Sequence, residues 1–205
     1  METREMSCGG FLDALAAKTS VPGGGGASAL AGALGAALCT MVGNFTVGKQ
    51  KYAAVETDVL ALMERAEELR GRLLALVDAD GAAFAPLSRA YAIPKDDPRR
   101  GEILEDCLRK AAAVPLEILR LSGSALEVHR ALLDKGSALL VSDVGTGAAL
   151  CWGALQGAAL NVKVNTKSMK DRAYAGALDA EADALTARYG ALAEELVAAV
   201  RERVS

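Results

Sequence analysis

The sequence predicts an all-α antiparallel bundle of long helices, and three observations carry that expectation. Apolar residues recur at three- and four-residue spacing through several long segments. No segment alternates with a period of two for long enough to make a strand. Apolar residues make up 52% of the chain but aromatics only 4%, so the core must be filled with Ala, Leu and Val, a composition suited to closely packed helices. A length of 205 residues is enough for one sizeable core, and nothing in the composition divides it, so residues 1–205 read as one domain.

Phe11 to Lys18 is a short amphipathic candidate, closed by a Thr-Ser-Val-Pro turn. The stretch that organises the chain follows, VPGGGGASALAGALGAALCTMVGNFTVGKQKY, Val21 to Tyr52. Pro22 with Gly23, Gly24, Gly25 and Gly26 reads as a loop opening a helix from Ala27 to Tyr52. The glycines allow close approach of a ligand, and the first helical turn presents unpaired N–H groups and partial positive charge. Helical spacing puts Leu30, Leu34, Leu38, Met41, Val42 and Phe45 on one side, and Ser28, Gly32, Gly35, Ala36, Cys39 and Gly43 on another. The nearly flat side suits a second helix at short range, which places this element at the centre of a bundle or of a subunit interface. About 20 apolar residues span a bilayer, and Ala27 to Val47 has that length. It is dominated by Ala and Gly and carries Ser28, Thr40, Asn44 and Thr46, so a buried core helix is favoured over a membrane span.

From Tyr52 to about Tyr91, Val59, Leu62, Ala66, Leu69, Leu73, Leu76 and Val77 mark the clearest amphipathic helix, expected to bend near Gly81 and Pro86. Ile93 to Gly101, with two prolines and mixed charges, is a surface loop. A second long helix is expected from Glu102 to Asp134, kinked at Pro115 or Gly123. A further small-residue helix opens near Val141, with Ser142 as N-cap and Asp143 at its positive end. Asp143, Gly147, Cys151, Ala154, Ala158, Asn161 and Asn165 fall on one stripe of it. Ser168 with Asp171 resembles a capping box before the last helix.

A net charge of −3, with Lys and Arg spread along the chain, leaves no electrostatic footprint for nucleic acid. Cys8, Cys39, Cys107 and Cys151 lack the close pairing of zinc or dithiol sites and read as small core residues in a reducing compartment. The N-terminus METREMSCGGF has no apolar secretory segment, so the cytoplasm is expected. No metal cluster, Walker lysine or serine–histidine–acid grouping can be assembled. His129, the one histidine, is read as a core or surface residue. Lys49 and Lys51 at a helix end read first as a favourable dipole arrangement.

Asp78 and Asp80 in LLALVDADGAAF point about 200° apart on a helix, so they cannot face one site. The apolar stripe of Leu73, Leu76, Val77, Phe84 and Leu87 takes in position 80 and not 78. A carboxylate on a burying face has its pKa raised, which suits general acid and base work near neutral pH. The competing reading is a structural Asp hydrogen-bonded to a helix end or paired with a basic residue.

VPGGGGASALAGALGAALCTMV, NFTVGKQKY, LVDADGAAF, SDVGTGAAL and GAALNVKVN, in that order, resemble the cyclodeaminase/cyclohydrolase family across essentially the whole chain. The family's usual PGGGS loop is lengthened here by a fourth glycine and Ala27 before Ser28. The resemblance implies an all-α homodimer, here expected to pair through the small-residue helix faces, with a tetrahydrofolate derivative bound near the subunit interface and no metal or redox cofactor. Its implied activity is hydrolysis of 5,10-methenyltetrahydrofolate to 10-formyltetrahydrofolate, or else ammonia release from formiminotetrahydrofolate. The absence of a preceding transferase domain slightly favours the former. The family's aspartate motif falls on VDAD, and helical phase selects Asp80 as proton carrier. Pro22, Gly23, Gly24, Gly25, Gly26, Ser28, Asp143, Asn161 and Asn165 would surround the folate, with Lys49 or Lys163 meeting its glutamate tail. A helical protein-interaction module is the non-enzyme alternative; no nucleic acid or membrane partner is expected.

Overall fold

The computed structural model describes residues 2–205, among which six α-helices and no strand are found. α1 spans Cys8–Ala16, α2 Gly24–Asn44, α3 Glu56–Tyr91, α4 Arg100–Lys135, α5 Val141–Thr166 and α6 Arg172–Val204. Short 3₁₀ turns lie at Thr3–Glu5, Gln50–Val55 and Ala138–Leu140. The helical spacing therefore predicted the fold class, while several boundaries differ for identifiable reasons.

α1 starts earlier than Phe11 because Ser7 caps it, its hydroxyl accepting from Gly10 N–H at 3.1 Å. α2 begins inside the glycine run and ends at Asn44 instead of reaching Tyr52. Beyond it Gly48 turns the chain with φ +77° and gives its N–H to the Glu56 carboxylate at 3.0 Å. α3 continues through Gly81 and Pro86 to Tyr91. The loop before α4 closes where Arg100 Nε donates to the Ile93 carbonyl at 2.9 Å. Ser142 is not an N-cap, since a 3₁₀ turn leads straight into Val141. Asp171, not Ser168, caps α6, accepting from Tyr174 N–H at 3.0 Å.

α2 lies among α3, α4 and α5, and α6 packs across α4 and α5. The order of close approaches sets the directions. Gly43 meets Met63, Gly32 meets Leu73 and Gly26 meets Val77, so α2 and α3 are antiparallel. Gly35 meets Gly147 and Cys151 while Ser28 meets Gly157, so α2 and α5 are antiparallel too. A Cβ at Gly35 would lie 2.3 Å from Cys151 Sγ and 2.9 Å from the Gly147 carbonyl oxygen, which is why the helices can approach so closely. Leu69 and Leu73 of α3, fully buried in this core, are positions where truncation to Ala costs about 2–5 kcal/mol.

The small face of α2, from Ser28 through Gly32, Gly35, Ala36 and Cys39 to Gly43, is entirely buried. Its bulky face is not: Leu34, Met41 and Phe45 are 51%, 37% and 50% exposed, with Leu30 and Leu38 half-buried. Only Val42 of the predicted bulky set turns inward. The small faces are consumed within the chain, which corrects the expectation that they pair two copies. α2 and the segment Ala138–Thr166 are long and apolar enough to cross a membrane, but here they bury their small faces in the bundle. Cys39, Cys107 and Cys151 are buried free thiols, whereas Cys8, expected in the core, is exposed at the start of α1.

His129 on α4 is fully buried between α2 and α5. Its Nε2–H donates to the Gly35 carbonyl at 3.0 Å, and Nδ1 has no partner among the described residues. A Cβ at Gly147 would come within 2.1 Å of the ring. Burial pushes the imidazole pKa down from 6.5 to about 4, against the opposing pull of the Gly35 carbonyl. The unfolded chain therefore binds this proton first as pH falls, so the contribution to stability is complete above pH 6.5 and lost as pH drops toward 4. The shift corresponds to roughly 3 kcal/mol. Urea midpoints measured between pH 7 and pH 4.5 should fall steeply, and less steeply in His129→Gln, which retains an N–H donor for Gly35. Parallel slopes in the two proteins would show that another group carries the dependence.

Candidate active site

The site arises because α3, α4 and α5 run on past the start of α2, leaving a cleft of about 210 Å³ over its first turn. Gly23, with no side chain, occupies the N-cap position in extended geometry. The acceptor a capping side chain normally supplies comes instead from α3: Asp80 Oδ2 accepts from Gly26 N–H at 3.0 Å. Asp80 Oδ1 lies directly over Gly25, where a Cβ would be 2.0 Å away. The glycine run is therefore the first helical turn, kept bare so that a carboxylate can rest on it. The expected free loop is shorter, ending at Gly23.

Asp80 is half-buried, and burial raises its pKa above the ordinary carboxylate value while the Gly26 N–H pulls the other way. The N–H groups of Gly24 and Gly25 have no acceptor among the described residues, so the helix end still presents donors to the cleft. Asn161 and Asn165 enter from α5, one turn apart and on the same face. Phe84, four residues after Asp80, stands at the mouth with 37% of its surface exposed. The arrangement combines a proton-transfer group, helix-end donors and amide side chains around a space open to solvent.

Of the residues singled out from sequence, Gly23, Gly24, Gly25, Asp80, Asn161 and Asn165 line the cleft. Pro22 is buried behind it, and Gly26 acts through Asp80. Ser28 does not line it: its hydroxyl donates back to the Gly24 carbonyl at 2.8 Å. Lys49 lies beyond the far end of α2, a helix about 31 Å long at 1.5 Å per residue, with its ammonium 5.9 Å from the Phe45 ring centre. Asp143 shares the Asn161 stripe but sits about 27 Å up the helix, because antiparallel packing brings only the C-terminal end of α5 to the glycines. Lys163 faces α6, its Nζ 2.6 Å from Asp183. Among the described residues no Lys or Arg lines the cleft.

Asp78 points elsewhere, accepting from Thr3 N–H at 2.6 Å to hold the N-terminal turn. Sequence reasoning missed Ser20, Phe84, Ala111 and Val164. Phe84 was findable from its i+4 spacing to Asp80, and Val164 from its place beside Asn165; Ser20 and Ala111 carry no such signal. A larger cavity of about 370 Å³ opens at the opposite end of the bundle, lined by Lys51, Tyr52, Ser137 and Arg203 among others. There Arg203 is already paired with Asp134 and the Leu133 carbonyl. The smaller cleft is the chemical candidate because it holds the carboxylate with the raised pKa.

The profile of the family described as Formiminotransferase-cyclodeaminase matches residues 7–184. The chain belongs to that family. It is 38% identical over 199 residues to the methenyltetrahydrofolate cyclohydrolase of Methylorubrum extorquens, covering 95% of this chain and 96% of that relative. It is 33% identical over 174 residues to the formimidoyltransferase-cyclodeaminase of Mus musculus, spanning 83% of this chain and about a third, 32%, of that longer protein. The crystal structure of a formiminotetrahydrofolate cyclodeaminase from Thermotoga maritima superposes with a TM-score of 0.92, at 28% identity over 100% of both chains.

In this formiminotransferase-cyclodeaminase family member the carboxylate contact on Gly25 admits a direct test. Gly25→Ala should displace Asp80 and lower turnover at least tenfold, with the α-helical circular dichroism unchanged; unaltered turnover would mean the carboxylate position is not needed. Since Asp80 has a raised pKa, its ionisation above that pKa costs folding stability. Asp80→Asn keeps an acceptor for Gly26 and removes that cost, so its melting temperature at pH 8 should equal or exceed the parent's. A clear drop would show that the ionised group stabilises the fold.

Proposed function

We propose that this protein is a methenyltetrahydrofolate cyclohydrolase, adding water to the methenyl carbon of 5,10-methenyltetrahydrofolate to give 10-formyltetrahydrofolate. The observation that carries this reading is the half-buried Asp80 carboxylate set on the first turn of α2 in a solvent-open cleft. The likeness to the Methylorubrum cyclohydrolase over nearly the full length of both chains supports it. The methenyl group is cationic, so an ionised Asp80 beside it is stabilised by the substrate and poised as a base. Asp80 takes a proton from the attacking water, giving a neutral carbinolamine, and passes that proton to N5. The C–N5 bond then breaks as the carbinol O–H proton leaves, so one proton is released overall and the formyl group stays on N10. Gly24 and Gly25 N–H groups are positioned to receive oxygen at this carbon. No metal or redox cofactor enters these steps, and we place the reaction in the cytoplasm, consistent with the unpaired thiols.

A cleft of about 210 Å³ is smaller than the ~300 Å³ at which pockets begin to enclose whole ligands. It admits the ring system and leaves the glutamate tail outside. We further propose that the protein works as a homodimer through the bulky stripe of α2, Leu30, Leu34, Leu38, Met41 and Phe45, not its small face. α2 carries no charged residue from end to end. A two-fold axis across this stripe sets the Lys49 and Lys51 end of one copy against the cleft end of the other, supplying cations the cleft lacks. Sedimentation equilibrium should give a dimer at micromolar concentration and a monomer for Leu34→Asp combined with Met41→Asp; a parent monomer would refute this assembly.

The second reading, cyclodeamination, is favoured by the fold-wide match to the Thermotoga cyclodeaminase. There N10 would attack the formimino carbon and ammonia would leave, with Asp80 again moving protons. The methenyl bridge absorbance separates the two, decaying with added methenyltetrahydrofolate or growing from formiminotetrahydrofolate. Asp80→Asn should slow whichever reaction occurs by about 10² to 10⁴-fold while retaining folate binding. Asp78→Asn should be far milder, because its side chain holds the N-terminal turn. The reverse ranking would move the chemistry to the other face of α3.

A further inference from the structure

The two asparagines differ from helix-end donors in the atoms they have left to offer. Asn165 Nδ2 donates to the Asn161 carbonyl at 2.9 Å and to the Ala111 carbonyl at 3.3 Å, which uses both of its N–H bonds. Asn161 Nδ2 donates to the Gly157 carbonyl at 2.8 Å. Reversing either amide would set oxygen against those carbonyl oxygens, so their orientations are fixed by the helix itself. Each Oδ1 remains without a protein donor among the described residues, and both residues line the cleft. Gly24 and Gly25, the former close against the Asn161 amide, present N–H groups. On the α5 wall Asn165 therefore offers only an acceptor and Asn161 an acceptor with one N–H, while the α2 wall donates, with Asp80 beside the donors.

We propose that Asn161 and Asn165 are specificity residues that accept hydrogen bonds from the donor edge of the ligand's ring, the N3–H and 2-amino groups of a reduced pterin. This deepens the folate reading and rests on it. It also removes Asn165 from the reacting centre. An oxyanion forming at the one-carbon unit requires donors, and Asn165 has none left to give. The contribution of the two asparagines is uniform binding, made equally to substrate and transition state, so losing them raises KM with kcat nearly unchanged. A ring in which the 2-amino group is missing leaves an acceptor of the α5 wall desolvated and unpaired, which is the costly outcome for a buried polar group.

The test is calorimetric and begins with the unmodified protein, so it does not depend on any variant folding. 5-Formyltetrahydrofolate and its 2-desamino analogue are titrated into the parent, and the analogue should bind about ten- to a hundredfold more weakly. Asn161→Ala and Asn165→Ala should weaken 5-formyltetrahydrofolate by about tenfold and the analogue by much less, because the interaction they remove is already absent there. Turnover of these variants should show the loss in KM. Equal affinity of the parent for the two ligands would overturn the proposal while leaving the folate reading intact. So would a fall in kcat with KM unchanged in the variants. No binding of 5-formyltetrahydrofolate to the parent would overturn the folate reading and this proposal with it.

Discussion

The contact on which the rest of the site depends is the hydrogen bond from Gly26 N–H to Asp80, at 3.0 Å between α2 and α3. It completes the N-terminus of a helix whose own N-cap residue has no side chain. It also holds a carboxylate over bare backbone in a half-buried place, where the charged form is disfavoured and the pKa raised. The sequence offered two readings of Asp80, a structural helix-end acceptor and a proton carrier. The geometry makes them compatible: one oxygen caps the helix and the other side of the group faces the cleft. A group that must stay where chemistry needs it is thereby fixed by a bond that folding needs.

Around this contact the bundle works mainly through backbone proximity. Gly35 on Gly147 and Cys151, with Gly43 on Met63, set helix separations by the absence of side chains. His129 of α4 then packs as a neutral ring between Gly35 of α2 and Gly147 of α5. Buried thiols complete the packing, and burial pushes the Cys39 pKa up and that of Cys151 up to about 12. The cost is local: among the described residues Nδ1 of His129 and Oγ of Ser122 are buried without partners.

What was legible in the sequence followed from periodicity. Three- and four-residue spacing marks the helices, and helical phase alone separates Asp80 from Asp78, because phase is a local property. Position along a helix is not. Asp143, Asn161 and Asn165 share a stripe, but which end meets the glycines depends on the antiparallel pairing of α2 with α5, a long-range contact that spacing does not encode. The same limitation misplaced Lys49, on the right helix run but at the wrong end. Lys163 was misjudged for another reason: at 163 the side chain turns toward α6 and Asp183. The helix starts were misread wherever a tertiary or neighbouring group did the capping, Asp80 at α2 above all. The small face of α2 was read correctly as a close-packing surface, but the partner it meets is in the same chain.

The cleft has a hard floor and a soft rim. Its floor, Gly24, Gly25 and Asp80, is locked by backbone contacts that leave no room for a methyl group over the carboxylate. At the rim Val164 is 68% exposed, with little packing to lose if it changes, and Phe84 turns 37% of its surface outward. Variation can therefore accumulate at the rim without disturbing the position of the carboxylate. A scaffold divided in this way is open to divergence, since the leaving group and the solvent reaching the carbon can be altered by side chains that the fold does not require.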